Sequence, residues 1–363
     1  MSHDIIDLTV IIFSYNRHKY LLRTLKFYSR FKIKVLVIDG SENILENKIL
    51  KKNNIEYYYL KENYYARYAY TSNKIKTKYV IVGNDDEFLM INTLKFCIRF
   101  LENNLDYASC IGSTIIINPK YKKTFYQLGY IFHKDKQYKE ERAIDRLRQL
   151  ILNPSHHGYN SVIRKETFVK IGKFLENYQL EENIFFNELI INLLIVQDGK
   201  TNWINQLTWI RSYENDPVIT KDWQRDLTKQ QNYFHWFNDL NENEKNNIIF
   251  KLTNNLFKNY KKNEYFEIIN KAVKGATKEN INKHNIKIKR SIFSKFLGYL
   301  SKSKFRKNKL TIKFLEVITS LNFIGKLYGM RLKDIILLMN SSNTKYDKKE
   351  LKQIDEIVLK FYS

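Results

Sequence analysis

Thr9-Val10-Ile11-Ile12-Phe13 forms a continuous, largely β-branched run near the start of the chain. A strand with one wet face alternates apolar and polar positions, so a run without alternation predicts a strand buried on both faces. The same signature returns at 35–38 and 79–82, and 55–60 reads as a further strand. Between these runs the period changes to that of a helix: Leu21, Leu22, Leu25 and Tyr28 share one helical face, 65–75 and 93–101 read as helices, and 43–52 as a short polar helix. Strand and helix alternate four times within about 100 residues, which predicts a parallel α/β sheet with right-handed crossovers.

Strand character resumes at 107–117 and 125–132, as candidate antiparallel additions. A short strand at 158–163 leads into a helix at 168–174. An apolar helix at 184–196 is closed by Gly199, and 203–211 reads as a last strand. Beyond residue 222 the pattern gives way to Lys/Asn-rich helices. The chain therefore divides into an α/β domain at 1–221 and a helical, basic region at 222–363.

Charge sharpens this division. The 363 residues carry a formal net charge of +24, a field that attracts polyanions, anionic headgroups or diphosphates. Between Glu279 and Glu316 no acid occurs among eleven lysines and arginines. There Ile292, Phe293, Phe296, Leu297 and Leu300 share a helical face. Such a helix either packs on the domain or lies on an anionic membrane surface through 281–315. Nucleic acid is disfavoured as a partner, since the block shows no zinc-finger spacing or RNA-recognition signature. The two cysteines, Cys97 and Cys110, match no metal spacing and read as small core residues in a reducing compartment. No leader pattern and no apolar stretch of roughly 18 residues is present. The expected location is cytoplasmic, peripheral to the inner face of the membrane.

The densest chemistry is in Tyr79-Val80-Ile81-Val82-Gly83-Asn84-Asp85-Asp86-Glu87-Phe88. It reads either as a solvated turn or as a buried strand delivering carboxylates to the sheet edge where open α/β folds bind ligands. Hard oxygen donors suit Mg²⁺ or Mn²⁺. No G-x-G-x-x-G appears, so a dinucleotide fold lacks its fingerprint.

In order along the chain, these segments resemble the GT-A glycosyltransferases, family 2 type, over roughly residues 7–215. Thr9 to Arg17 is similar to the family's opening strand and Thr-Tyr-Asn-Arg loop, and 35–41 to its second strand ending Asp-Gly-Ser. Ala66-Arg67 resembles the Ala-Arg-Asn segment, with Tyr68 where asparagine is usual. Residues 79–86 resemble the Asp-x-Asp metal strand, with Asn84 in place of the first aspartate. Residues 158–172 are similar to the acceptor-side segment, and Glu181-Glu182 stand where Glu-Asp is frequent.

The resemblance implies an α/β GT-A domain with a mostly parallel sheet. It further implies metal-dependent, inverting transfer from a nucleotide-diphosphate sugar, a UDP-sugar being favoured. Ser14, Tyr15, Arg17, Asp39, Arg67 and Asp85 would bind the nucleotide-sugar, and Asp86 would hold Mn²⁺ or Mg²⁺ with Asp85 or Glu87 assisting. Glu182, or else Glu181, would be the general base. His157, Trp209 and Arg211 would line the acceptor side, facing a hydroxyl of a glycan or lipid-linked acceptor in surface polysaccharide synthesis. The competing expectation is a non-catalytic membrane- or nucleic-acid-binding protein on a degenerate GT-A scaffold.

Overall fold

The computed structural model describes residues 7–120, 122–129, 136–152, 160–177, 184–212, 241–256, 264–268, 270–271 and 329–362. Four parallel strands open the fold: β1 (Leu8–Ser14), β2 (Lys34–Asp39), β3 (Ile55–Tyr59) and β4 (Tyr79–Asn84), in spatial order β3-β2-β1-β4. The sheet continues with β8 (Val162–Arg164), β6 (Tyr107–Lys120), β9 (Lys200–Ser212) and the two-residue β5 (Phe88–Leu89), while β7 (Lys123–Gly129) pairs with β6. This second half is mixed: β6 and β9 run parallel, whereas β8, β7 and β5 add antiparallel.

The unbroken apolar runs have the cause expected of them. Leu8, Val10 and Ile12 of β1 enter one core cluster and Ile11 the other; Val35 and Val37 oppose Leu36 and Ile38 in the same way. Helices cover both faces. On one lie α1 (His18–Tyr28) and α3 (Ile91–Asn103); on the other lie α2 (Tyr64–Ser72), α4 (Ala143–Leu152), α5 (Lys165–Asn177) and α6 (Ile184–Asp198). Helices α2 and α5 approach so closely that a Cβ on Gly172 would stand 2.5 Å from the Ser72 Cβ. The polar helix expected at 43–52 is only a single 3₁₀ turn, Lys48–Lys51. Its one apolar pair, Ile49 and Leu50, is half-buried, too little to hold a longer helix in place.

The C-terminal region contributes α7 (Glu242–Leu256), α8 (Leu332–Ser341) and α9 (Lys348–Tyr362). Ile335, Met339, Leu351, Ile354 and Val358 are buried in the same cluster as α1 and α3. Backbone bonds tie this segment to the sheet: Met330 and Tyr126 exchange N–H···O contacts at 2.7 Å, and Leu207 N–H donates to the Lys345 carbonyl at 2.8 Å. Residues 281–315, the candidate membrane face, lie outside the described residues. Among the described residues no helix is long and apolar enough to cross a membrane.

Candidate active site

Strand register assembles the site. Ser14 pairs with Asp39 across β1–β2, and Phe13 pairs with Asn84 across β1–β4, so three strand ends present polar side chains at one level of the carboxyl edge. The turn after β4 then carries Asp85, Asp86 and Glu87, all buried.

Helix α1 grips that turn at three points. Thr24 Oγ1 donates to the Asp85 carbonyl at 2.8 Å and Arg23 Nη2 to the Asp86 carbonyl at 2.9 Å. Arg17, at the helix start, pairs with the side chains: Nη2 to Asp86 Oδ2 at 2.5 Å and Nη1 to Asp85 Oδ1 at 3.2 Å. Ser14 Oγ donates to the other Asp85 oxygen at 2.9 Å. Burial pushes the Asp85 carboxyl up to about 7, with Asp86 adding to the shift and Arg17 and Ser14 opposing it. Burial also works against the charge on Arg17, yet Asp85 and Asp86 together raise it above the ordinary guanidinium range.

Glu87 turns the other way. Its Oε2 accepts from Asn84 Nδ2 at 2.7 Å and from Trp209 Nε1 at 2.8 Å, and its Oε1 lies 3.6 Å from Arg211 Nε. Burial first, and Asp86 second, push this carboxyl up to about 8. Trp209 is buried, so its indole is not a free stacking surface; it reaches the site through Glu87. Arg211 is half-buried beside the same carboxylate.

Asp39 is fully buried and its lone pairs are taken. Oδ1 accepts from the Ser41 N–H at 3.0 Å and from the Ser41 hydroxyl; Oδ2 accepts from Tyr57 Oη at 2.7 Å and lies 2.8 Å from His18 Nε2. Arg67, buried and with its charge disfavoured by that burial, donates from Nη1 to the Ser14 carbonyl at 2.9 Å. Gly40 makes room for it, since a Cβ there would stand 2.5 Å from Arg67 Nη1. Arg67 thus lies against the backbone between Ser14 and Gly40. Tyr15 is exposed at the rim. Asn16, at a left-handed φ of 53°, accepts from the Glu42 N–H rather than capping α1.

The described structure therefore brings Ser14, Tyr15, Arg17, Asp39, Arg67, Asp85 and Asp86 to one edge, with Trp209 and Arg211 linked to them through Glu87. Glu181, Glu182 and His157 lie outside the described residues. His18, Tyr57, Arg23 and Thr24 were not anticipated. Arg23 had a readable signal, a cation inside the apolar stretch of a helix, whereas His18 and Tyr57 meet Asp39 only through tertiary register.

As for a metal, two carboxylates, Asp85 and Asp86, already converge on one positive centre, the Arg17 guanidinium. Among the described residues no third His, Cys, Asp or Glu joins them. A divalent ion at this turn would have these one or two carboxylates as protein ligands and would take the rest of its shell from substrate phosphates and water, as Mg²⁺ does elsewhere.

Comparison with known proteins bears on the fold. Residues 9–172 match the model of Glycosyl transferase family 2. The chain has a family 2-like GT-A fold. Residues 1–349 of S. aureus TarS are similar in structure at 11% identity, covering 96% of this chain and 90% of that one with a TM-score of 0.51. The same protein in complex with UDP-GlcNAc aligns with a TM-score of 0.52 at 11% identity, over 80% of this chain and 78% of that one. At such identity these likenesses concern the fold. No curated protein matches the sequence. The matched segment runs from β1 into α5 and spans the acid turn.

Proposed function

We propose that the protein transfers a sugar from a nucleotide-diphosphate donor, a UDP-sugar in the favoured case, to a hydroxyl of a glycan or lipid-linked acceptor. The observation that carries this reading is the gathering of Asp39, Arg67, Arg17 and the Asp85–Asp86 pair on the carboxyl edge of a family 2 domain. UDP-GlcNAc, bound in the TarS complex, is a natural first donor to try.

Each group then has a task. Tyr15 offers an exposed ring beside the nucleotide, and the Asp39 network orients the base or ribose. A nucleoside edge reaches Asp39 by exchange with one of its present donors, and half-exposed His18 is the one with room to leave. Arg67, and Arg17 once released, match diphosphate oxygens bidentately. A divalent ion held by Asp86, with Asp85 assisting, would supply charge neutralisation on the leaving diphosphate. Glu182, or Glu181, takes the acceptor proton as general base in an inverting displacement. Trp209 and Arg211 fix the acceptor side through Glu87, and the basic segment 281–315 is the one that would meet an anionic membrane surface.

A panel of UDP-, GDP- and CMP-sugars, each with and without Mn²⁺, tests the reading by thermal shift and by release of the nucleotide. One nucleotide class should raise the midpoint, and its release should require an intact Asp86. A panel in which nothing binds and nothing is hydrolysed sinks the enzymatic reading. It would favour a binding scaffold, a reading that draws on Asn84 in place of an aspartate.

A further inference from the structure

The last helix of the chain reaches the acid turn from behind at two places. The Phe361 ring centroid lies 4.8 Å from the Arg23 guanidinium carbon, which also faces the rings of Phe88 at 5.3 Å and Tyr20 at 5.4 Å. Phe361 and Tyr20 pack with centroids 5.4 Å apart. Arg23 is buried, and it donates to the carbonyl of Asp86. On the far side of the turn, the Glu350 carboxylate accepts from the backbone N–H groups of Ile91 at 2.5 Å and Asn92 at 3.1 Å, the first turn of α3. Asp347 accepts from Asn92 Nδ2 at 2.8 Å.

We infer that α9 braces the donor site, with Phe361 and Glu350 acting as positioning residues for the turn that carries Asp85 and Asp86. The physical basis is direct. A buried guanidinium needs its charge compensated, and desolvated cation–π contacts are worth about 2 kcal/mol or more. Aromatic faces on three sides leave the Arg23 fork aimed at the Asp86 carbonyl. Glu350 places its carboxyl oxygens at a helix N-terminus, where they accept from N–H groups that have no partner within the helix. Residues 84–90 are thereby clamped between Arg23 and Thr24 on one side and the capped start of α3 on the other. Part of the turn's rigidity thus comes from residues some 260 to 280 positions further along the chain.

The functional consequence rests on the glycosyltransferase reading; the brace itself does not. The experiment uses the full chain carrying Phe361→Ala, with Phe361→Leu as a milder variant that keeps apolar cover but removes the ring face. Amide hydrogen exchange is followed over 84–92 and, as a control, over β2 and β3. Exchange at 84–92 should quicken about tenfold in Phe361→Ala and less in Phe361→Leu, with the control strands unchanged. The donor KM should rise about tenfold while kcat holds within about threefold, because a displaced site loses binding before chemistry. A merely structural role predicts the opposite split: a smaller active fraction, lower kcat, unchanged KM and faster exchange everywhere. Unchanged exchange at 84–92 in Phe361→Ala, or in Phe361→Leu should the alanine variant not fold, overturns the brace. Wild-type protein that turns over no nucleotide sugar, yet whose variants exchange as stated, overturns only the enzymatic reading.

Discussion

Arg17 Nη2 lies 2.5 Å from Asp86 Oδ2, and the same guanidinium reaches Asp85 at 3.2 Å. The side chain that the Tyr-Asn-Arg loop delivers is therefore the counter-charge of the carboxylates expected to serve a metal. Removing one partner of a buried pair costs about 3–5 kcal/mol, because the other charge is left unpaired. Arg17→Ala should lower the thermal midpoint accordingly. If the two carboxylates form a general cation site, Mn²⁺ alone should then stabilise Arg17→Ala more than wild type. Equal Mn²⁺ shifts in both proteins would dissociate the pair from metal binding.

Gly40 and Arg67 make a second pair in which one residue exists for the other. The missing Cβ lets the guanidinium lie 2.5 Å from where that atom would be. Gly40→Ala should push Arg67 off the Ser14 carbonyl, with a stability loss of about 1 kcal/mol for the broken bond. Its larger effect should fall on donor affinity, weakened about tenfold, and Arg67→Lys should weaken it similarly because an ammonium lacks the planar fork. Donor titration of both variants checks this; full affinity in Gly40→Ala would take Arg67 out of the donor site.

The parallel core was legible because burial on both faces leaves one unmistakable mark, runs such as Val10 to Phe13 with no polar position. The acid turn was legible only as two alternatives, since Asp and Asn after a strand also make solvated turns; the burial of Asp85, Asp86 and Glu87 is a tertiary fact. What α9 does was not. Leu351, Ile354 and Val358 form an ordinary amphipathic stripe, and nothing in a stripe says which face of which sheet it covers. Phe361 above Arg23 depends on a contact across most of the chain, which local pattern cannot encode. Likewise β5 spans only Phe88–Leu89, too short for a period, yet its pairing with β9 delivers Trp209 and Arg211 towards Glu87.

Stability should depend on pH through Glu350. Burial pushes its carboxyl up to about 8; the Asn92 and Ile91 N–H bonds oppose the shift, Asp347 adds to it and Lys95 opposes it. Between roughly pH 4.5 and pH 8 the unfolded chain has released this proton and the folded chain retains it. The unfolded state thus binds fewer protons, and stability falls as pH rises through that window. Glu350→Gln keeps an acceptor for α3 without the ionisation, so the difference between wild type and variant should shift in favour of the variant as pH is raised from 5 to 9. Urea midpoints at pH 5, 7 and 9 read this out, and a constant difference across the three would remove Glu350 as a titrating group.

Asn84, where the family's motif usually has aspartate, is explained by Glu87. Its Nδ2 donates to Glu87 Oε2 at 2.7 Å, and Trp209 Nε1 donates to the same oxygen at 2.8 Å. An aspartate in its place would replace that donor with a second carboxyl group within hydrogen-bond distance in a buried setting, where the two cannot both ionise without repulsion. Restoring the motif by Asn84→Asp should therefore cost about 1–3 kcal/mol and should not raise turnover. Glu87→Gln removes the repulsion, so the double variant should recover part of the loss, although its amide cannot satisfy both the introduced carboxylate and Trp209 through one atom. A double-mutant cycle on denaturation midpoints gives the coupling, expected at about 0.5–3 kcal/mol for groups in one network. Additive losses would mean that Asn84 and Glu87 act independently, and higher activity in Asn84→Asp would mean that the asparagine is a defect rather than a partner.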